Sequence, residues 1–268
     1  MVSGLSIFIM FLNMILAIAI PVVLLVVIKK KFGASIISFV VGCVTFLVFA
    51  LMLEQLLHAL VIMVLPTGKI IQGNIWLYAT YGALAAGVFE ETGRLFAMKY
   101  MLKSKHEDSS NALMYGAGHG GFEVFYILGV SMLNNWLYSV MINAGQTGLI
   151  LDQLGDAERV QMEAIFDQLT NTAPYVFLMA PVERISAVIL HIALSVLVWT
   201  AVTKGKKWMY PLAIAFHFVV DFVVVVVNNF GLNVILLEIL MLAMSVSIAV
   251  YAKKYVWNVY LKAENNSL

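Results

Sequence analysis

Ten ionisable side chains lie inside stretches of this chain that otherwise read as membrane-spanning helix: Glu90, Glu91, Arg94, His119, Glu123, Glu183, Arg184, His191, His217 and Asp221. A charge at the centre of a bilayer costs on the order of 3 kcal/mol or more, so such groups persist only where they face one another, a cavity or a substrate path. The pattern therefore predicts a working centre inside a membrane bundle rather than a simple anchor.

Of the 268 residues 62% are hydrophobic and 12% charged, and the mean hydropathy is +0.95. A chain this apolar has the bilayer as its solvent. The formal net charge of +1 provides no global field for nucleic acid. The only cysteine, Cys43, rules out a disulfide framework and a cysteine-based metal cluster. The apolar run from Leu5 to Ile28 is too long for a signal-peptide core and reads as the first span.

Apolar segments able to cross about 30 Å of hydrocarbon fall near residues 5–28, 34–65, 75–101, 111–140, 174–202, 208–228 and 231–252. The expectation is an all-α polytopic membrane helix bundle of seven spans, a single integral membrane domain over residues 1–268, in the cell membrane. The fourth segment is overlong, and a break at Gly129 or at Asn134-Asn135 would give eight helical pieces.

Basic clusters alternate along the chain. Lys29–Lys31 follow the first span, Lys103 and Lys105 the third, Lys204, Lys206 and Lys207 the fifth, and Lys253, Lys254 and Lys262 the seventh; the other loops hold only Lys69 and Arg159. The positive-inside rule then predicts an N-out, C-in topology. A reporter fused after Gly205 is expected to read as cytoplasmic and one inserted near Gly155 as external; the reverse pattern would overturn the assignment. The acidic loop at about 143–172 is external on this reading, either as a partly amphipathic helix over the bundle or as a solvated linker.

At about 1.5 Å of rise per residue, Glu90, Glu91, Arg94, His119, Glu123, His191, His217 and Asp221 fall in one layer, roughly 12 to 20 Å from the inner edge. Residues four apart share a helix face, which pairs Glu90 with Arg94, His119 with Glu123, and His217 with Asp221; Arg184 and His191, seven apart, are nearly aligned. Gly87, Gly93, Gly116, Gly118, Gly120 and Gly121 allow close helix approach beside them. One shared cavity lined by several helices follows.

No Gly-x-Ser-x-Gly elbow or Ser-His-Asp system is evident, so the chemistry rests on carboxylates, imidazoles and arginine. A buried glutamate beside an arginine can act as general base for water, and imidazoles can stabilise an oxyanion, orient water or bind metal. Structural readings stand beside these. Glu183 with Arg184 reads equally as a local ion pair, Glu54 with His58 as a peripheral tie, His106 as a loop residue, and Glu238 as a lone acid without a role.

The set Glu90-Glu91-Thr92-Gly93-Arg94, Tyr115-Gly116-Ala117-Gly118-His119 and His217-Phe218-Val219-Val220-Asp221 resembles the motifs of the glutamic-type intramembrane proteases, the group of the CAAX-protease and bacteriocin-processing enzymes, and most closely its YhfC branch. The resemblance covers most of the chain. It implies that Glu90 activates water, that His119 and His217 assist, and that Asp221 supplies a further polar ligand, with Glu91 and Arg94 completing the site. In the usual pattern the arginine stands one residue later. Here it is rotated by about 100° around the helix, which suggests pairing of Arg94 with Glu90 itself. Glu123, Arg184 and His191 are additional polar groups, and His191 can take over part of the imidazole role.

The expected function is therefore intramembrane hydrolysis of a peptide bond in a membrane-embedded or membrane-proximal substrate. Because no His-x-x-x-His spacing occurs on a helix, the expectation is catalysis that requires no cofactor. Zn²⁺ held among His119, His191 and His217 is the alternative version. Rival readings are an ion- or proton-coupled transporter and an inactive scaffold or immunity protein of the same fold.

Overall fold

The computed structural model describes residues 1–262; the last six residues of the chain lie outside the described part. All regular structure among the described residues is helical, in the order α1 Gly4–Phe32, α2 Ile36–Val64, α3 Thr67–Gln72, α4 Ile75–Phe96, α5 Ser110–Asn143, α6 Gly148–Leu151, α7 Asp156–Asn171, α8 Pro174–Thr203, α9 Met209–Asn229 and α10 Val234–Leu261. Helices α1, α2, α5, α8, α9 and α10 are long and apolar enough to cross a bilayer. Helix α4, with 22 residues, is long enough too, but it carries Glu90, Glu91 and Arg94 and is correspondingly less apolar.

Local signals set the boundaries. The Ser3 side chain accepts the Ser6 N–H at 3.0 Å to start α1. The helix stops at Gly33, whose φ of 73° is left-handed and whose N–H donates to the Lys29 carbonyl at 3.0 Å. Asn74 caps α4 by accepting the Trp76 and Leu77 N–H groups at 2.9 and 3.2 Å, and Pro174 occupies the first turn of α8.

The fourth span does not break. Ser110–Asn143 is one continuous helix in which Val124–Val130 takes wide π turns; Gly129 lies in those turns and Asn134-Asn135 in the regular stretch after them. A true break would leave backbone N–H and C=O groups unpaired in hydrocarbon, whereas π turns keep them bonded. The eight-piece division is thereby corrected. In the 143–172 loop the helical option holds. Helix α7 buries Phe166 and Leu169 and packs Phe166 on Tyr138 with ring centroids 5.7 Å apart.

Helix α8 forms the axis, buried along most of its length, and packs against α5, α9, α10 and α1. Helix α2 lies against α5, and α4 against α9. Hydrogen bonds tie matching ends. Val2 N–H donates to Asn143 at 2.8 Å, while at the other end Asn111 accepts from Ser35 N–H at 3.0 Å and Ser38 Oγ at 2.8 Å. His106 stacks edgewise on Trp199 with ring centroids 5.5 Å apart, and Lys206 lies over Tyr260 at 5.2 Å. The basic clusters therefore gather at one end of the bundle, opposite α7.

Helix α5 runs backbone to backbone with two neighbours, and glycines make this possible. A Cβ at Gly118 would collide with the Phe39 carbonyl of α2; one at Gly116 would meet Ile192 Cα of α8 at 2.7 Å; one at Gly120 would meet Val188 Cα at 3.1 Å. These contacts fix the rotation of α5 and hold His119 between α2 and α8. Gly118→Ala is expected to cost about 1–3 kcal/mol through overpacking. Gly82→Ala on α4, where a Cβ meets nothing within 4 Å, should instead stabilise by about 0.5–1 kcal/mol through helix propensity. Thermal unfolding of the two variants in one detergent checks the sign of each.

Candidate active site

Helices α4, α5, α8 and α9 each direct polar groups to one centre. The Glu90 carboxylate accepts from His119 Nε2 at 2.8 Å and stands 3.9 Å from His191 Nδ1. His191 Nε2 stands 2.6 Å from Glu123 Oε2, and its Nδ1 accepts from Arg94 at 3.0 Å. His217 donates through Nδ1 to Glu91 at 3.0 Å and places Nε2 3.4 Å from Asp221. The three imidazoles form a row, His119 to His191 at 4.8 Å and His191 to His217 at 5.4 Å between centroids.

Around this row lie the arginines. Arg94, fully buried, also donates to the His191 carbonyl at 3.0 Å and pairs with Glu91 at 3.5 Å. Its partner is thus Glu91 and not Glu90, which corrects the pairing expected from the shifted motif. At a rise of about 1.5 Å per residue, the preceding turn that carries Glu91 offers the nearer carboxylate to a guanidinium held on His191. Arg184 donates to Glu123 at 2.6 Å and also pairs with Glu183, so this pair is tied into the centre through Glu123 as well as being local.

A cavity of about 680 Å³ opens beside these residues, lined by Glu90, Glu123, Glu183, Arg184, His191, His217 and Asp221 among others. His119 does not line it. That ring is fully buried behind Glu90, with Phe46 edge-on at 5.2 Å. The far wall holds His58 and Tyr81, which hydrogen-bond at 2.9 Å while His58 reaches Glu54 at 3.1 Å. The Glu54–His58 tie is present, but it belongs to the cavity wall. Tyr81, Gln55 and Gln72 line the cavity too, and nothing in their spacing signals it. His106 bonds the Met98 carbonyl at 2.8 Å, as a loop residue.

The donor set suits a divalent metal. Glu90, His119 and His191 each offer one ligand atom, all within 4.8 Å of one another, and all three residues are buried. Two imidazoles and one carboxylate with space beside them match the composition of catalytic zinc sites. Charge agrees: the buried carboxylates of this centre, Glu90, Glu91 and Glu123, outnumber its buried arginines, Arg94 and Arg184, and an excess of buried anions calls for a cation. The missing His-x-x-x-His spacing therefore does not argue against metal, because His119 and His191 come together from different helices. His217 stands outside this set, held by Glu91 and Asp221.

Polar groups from four helices around an internal cavity define a class of multi-pass membrane proteins that work inside their own bundle. Within that class the chain belongs to the YhfC intramembrane metalloprotease family, whose family model matches residues 16–243. It is 36% identical over 218 residues to a protein of Bacillus subtilis (strain 168) described as uncharacterized membrane protein YhfC, covering 81% of this chain and 83% of that protein. No solved structure matches. The YhfC resemblance read from the motifs holds, and the family description adds a metal that the sequence reading left as its alternative.

Proposed function

We propose that this chain is a metal-dependent intramembrane endopeptidase, oriented N-out and C-in, that cleaves a peptide bond of a membrane-embedded or membrane-proximal substrate held in the larger cavity. The observation that carries this reading is the convergence of Glu90, His119 and His191 from three helices at the edge of that cavity. Family membership supports peptide hydrolysis over the transporter and scaffold alternatives.

In this reading Glu90, His119 and His191 hold Zn²⁺, which supplies polarisation of the peptide carbonyl and a lowered water pKa. The Glu123 carboxylate, 2.6 Å from His191 Nε2, orients the ring in this reading, the carboxylate–imidazole arrangement that supports metal-binding histidines. Asp221 lines the cavity with its side chain 31% exposed, and its partner is His217. In this reading Asp221 takes a proton from water and returns it to the leaving amine, with His217 Nε2 3.4 Å away. Glu91 and Arg94 act as positioning residues, Glu91 through His217 and Arg94 through the His191 carbonyl; a metal on His191 Nδ1 would take the lone pair that the second Arg94 N–H uses here.

A second reading, favoured by the 2.8 Å contact between Glu90 and His119, keeps the glutamic-type mechanism. Glu90 itself then takes the water proton, while His119 and His217 stabilise the oxyanion.

Both readings are tested by mapping membrane-protein termini in cells carrying the wild-type chain or Glu90→Ala. New termini that depend on Glu90 are expected. Identical termini in the two cell lines would contradict peptidase function.

A further inference from the structure

A second internal cavity of about 300 Å³ adjoins the first, and the two meet at Glu183, which lines both. Its wall includes Asn135 of α5, Gln168 of α7, Thr172, Ala180 of α8 and Glu238 of α10. Glu238 is only 6% exposed, and its Oε2 has no hydrogen-bond partner among the described residues. A buried carboxylate oxygen left so is satisfied by ordered water when there is room and further polar partners, and this cavity, though mostly apolar in its lining, has the room and adds Asn135, Gln168, Thr172 and Glu183 beside Glu238. An acid inside the last span, with no role in the hydrolytic site, thereby acquires a physical reason.

Hydrolysis consumes one water for every bond cleaved. A peptide lying in the larger cavity occupies its mouth, so the water for that turnover has to reach the site from elsewhere. The smaller cavity approaches from the opposite wall, beneath α7, and ends at the Glu183–Arg184 pair. From there Arg184 leads to Glu123 at 2.6 Å, and Glu123 to His191 at 2.6 Å.

We propose that the smaller cavity is a water-binding site and entry route, running from beneath α7 past Glu238 to Glu183, which keeps the hydrolytic centre wet while substrate fills the larger cavity. The route deepens the hydrolytic reading of the larger cavity and rests on it. Glu238 and Glu183 hold the water column, and the Glu183–Arg184 pair forms its boundary with the site.

The route is tested by thiol labelling in proteoliposomes, in a Cys43→Ser background, with a membrane-impermeant sulfonated methanethiosulfonate. Glu238→Cys and, as a second variant, Asn135→Cys are expected to label from the membrane side that α7 faces. Adding Ala180→Phe, which fills the cavity, should slow labelling about tenfold and lower kcat by a similar factor with KM unchanged, as expected when a group that cannot replace its hydrogen bonds displaces ordered water. Folded protein in which neither cysteine labels, or labelling indifferent to Ala180→Phe, would overturn the route. The expected labelling in a chain that cleaves nothing would support the route and sink the hydrolytic reading, so the two fail separately.

Discussion

Arg94→Leu is expected to destabilise the folded bundle by about 3–5 kcal/mol, the range measured when one member of a buried ion pair is removed. Arg94 is fully buried and serves three partners at once: the His191 carbonyl, His191 Nδ1 and the Glu91 carboxylate. Leucine restores the packing but leaves Glu91 charged in a low-dielectric interior with only His217 as partner. Arg94→Lys should recover part of the loss, because an ammonium keeps the charge but lacks the planar fork that reaches two acceptors in parallel. Thermal unfolding in detergent reads both variants. An Arg94→Leu protein as stable as wild type would show that this network does not hold the helices in register.

Cleavage by Asp221→Asn is expected to fall by about 10²- to 10⁴-fold, the usual contribution of a positioned general base, while bound metal stays at the wild-type level. The amide keeps the shape and much of the hydrogen bonding of the carboxylate but cannot accept the proton. Glu90→Gln and His119→Ala should lose activity at least as completely, and lose metal with it, since each removes a donor of the Glu90–His119–His191 set. The comparison separates roles: Asp221 stands 3.4 Å from His217 on the cavity and outside that set. Full turnover in Asp221→Asn would return the base to Glu90.

Much of this was legible in the sequence because helices convert spacing into faces. The pairs His119 with Glu123 and His217 with Asp221, and the Glu90-Glu91 step, all meet in one place, and the seven apolar segments coincide with long helices within a few residues at most boundaries. Spacing along one helix does not say which neighbour a side chain meets. That depends on helix rotation, fixed here by contacts such as Gly118 on Phe39 and Gly116 on Ile192. Hence the exchange of Glu90 for Glu91 as partner of Arg94, and the position of His119 behind Glu90 instead of on the cavity. It also explains why a metal site was invisible as a motif: its two imidazoles, one on α5 and one on α8, are 72 residues apart in sequence. Tyr81, Gln55 and Gln72 are uncharged and form no spaced pair with another ionisable group of the site, so no signal marked them as cavity wall.

The central claim is that Glu90, His119 and His191 form a metal centre on which peptide hydrolysis depends. The most direct measurement is elemental analysis of the purified wild-type protein and His191→Ala, with cleavage of a membrane peptide followed through chelation and metal restoration. The account predicts about one Zn²⁺ per wild-type chain, as a three-ligand catalytic site binds, its loss in His191→Ala, and activity abolished by chelator and restored by added Zn²⁺. Full activity in a metal-free preparation would contradict it and leave Glu90 as the base of a metal-independent peptidase.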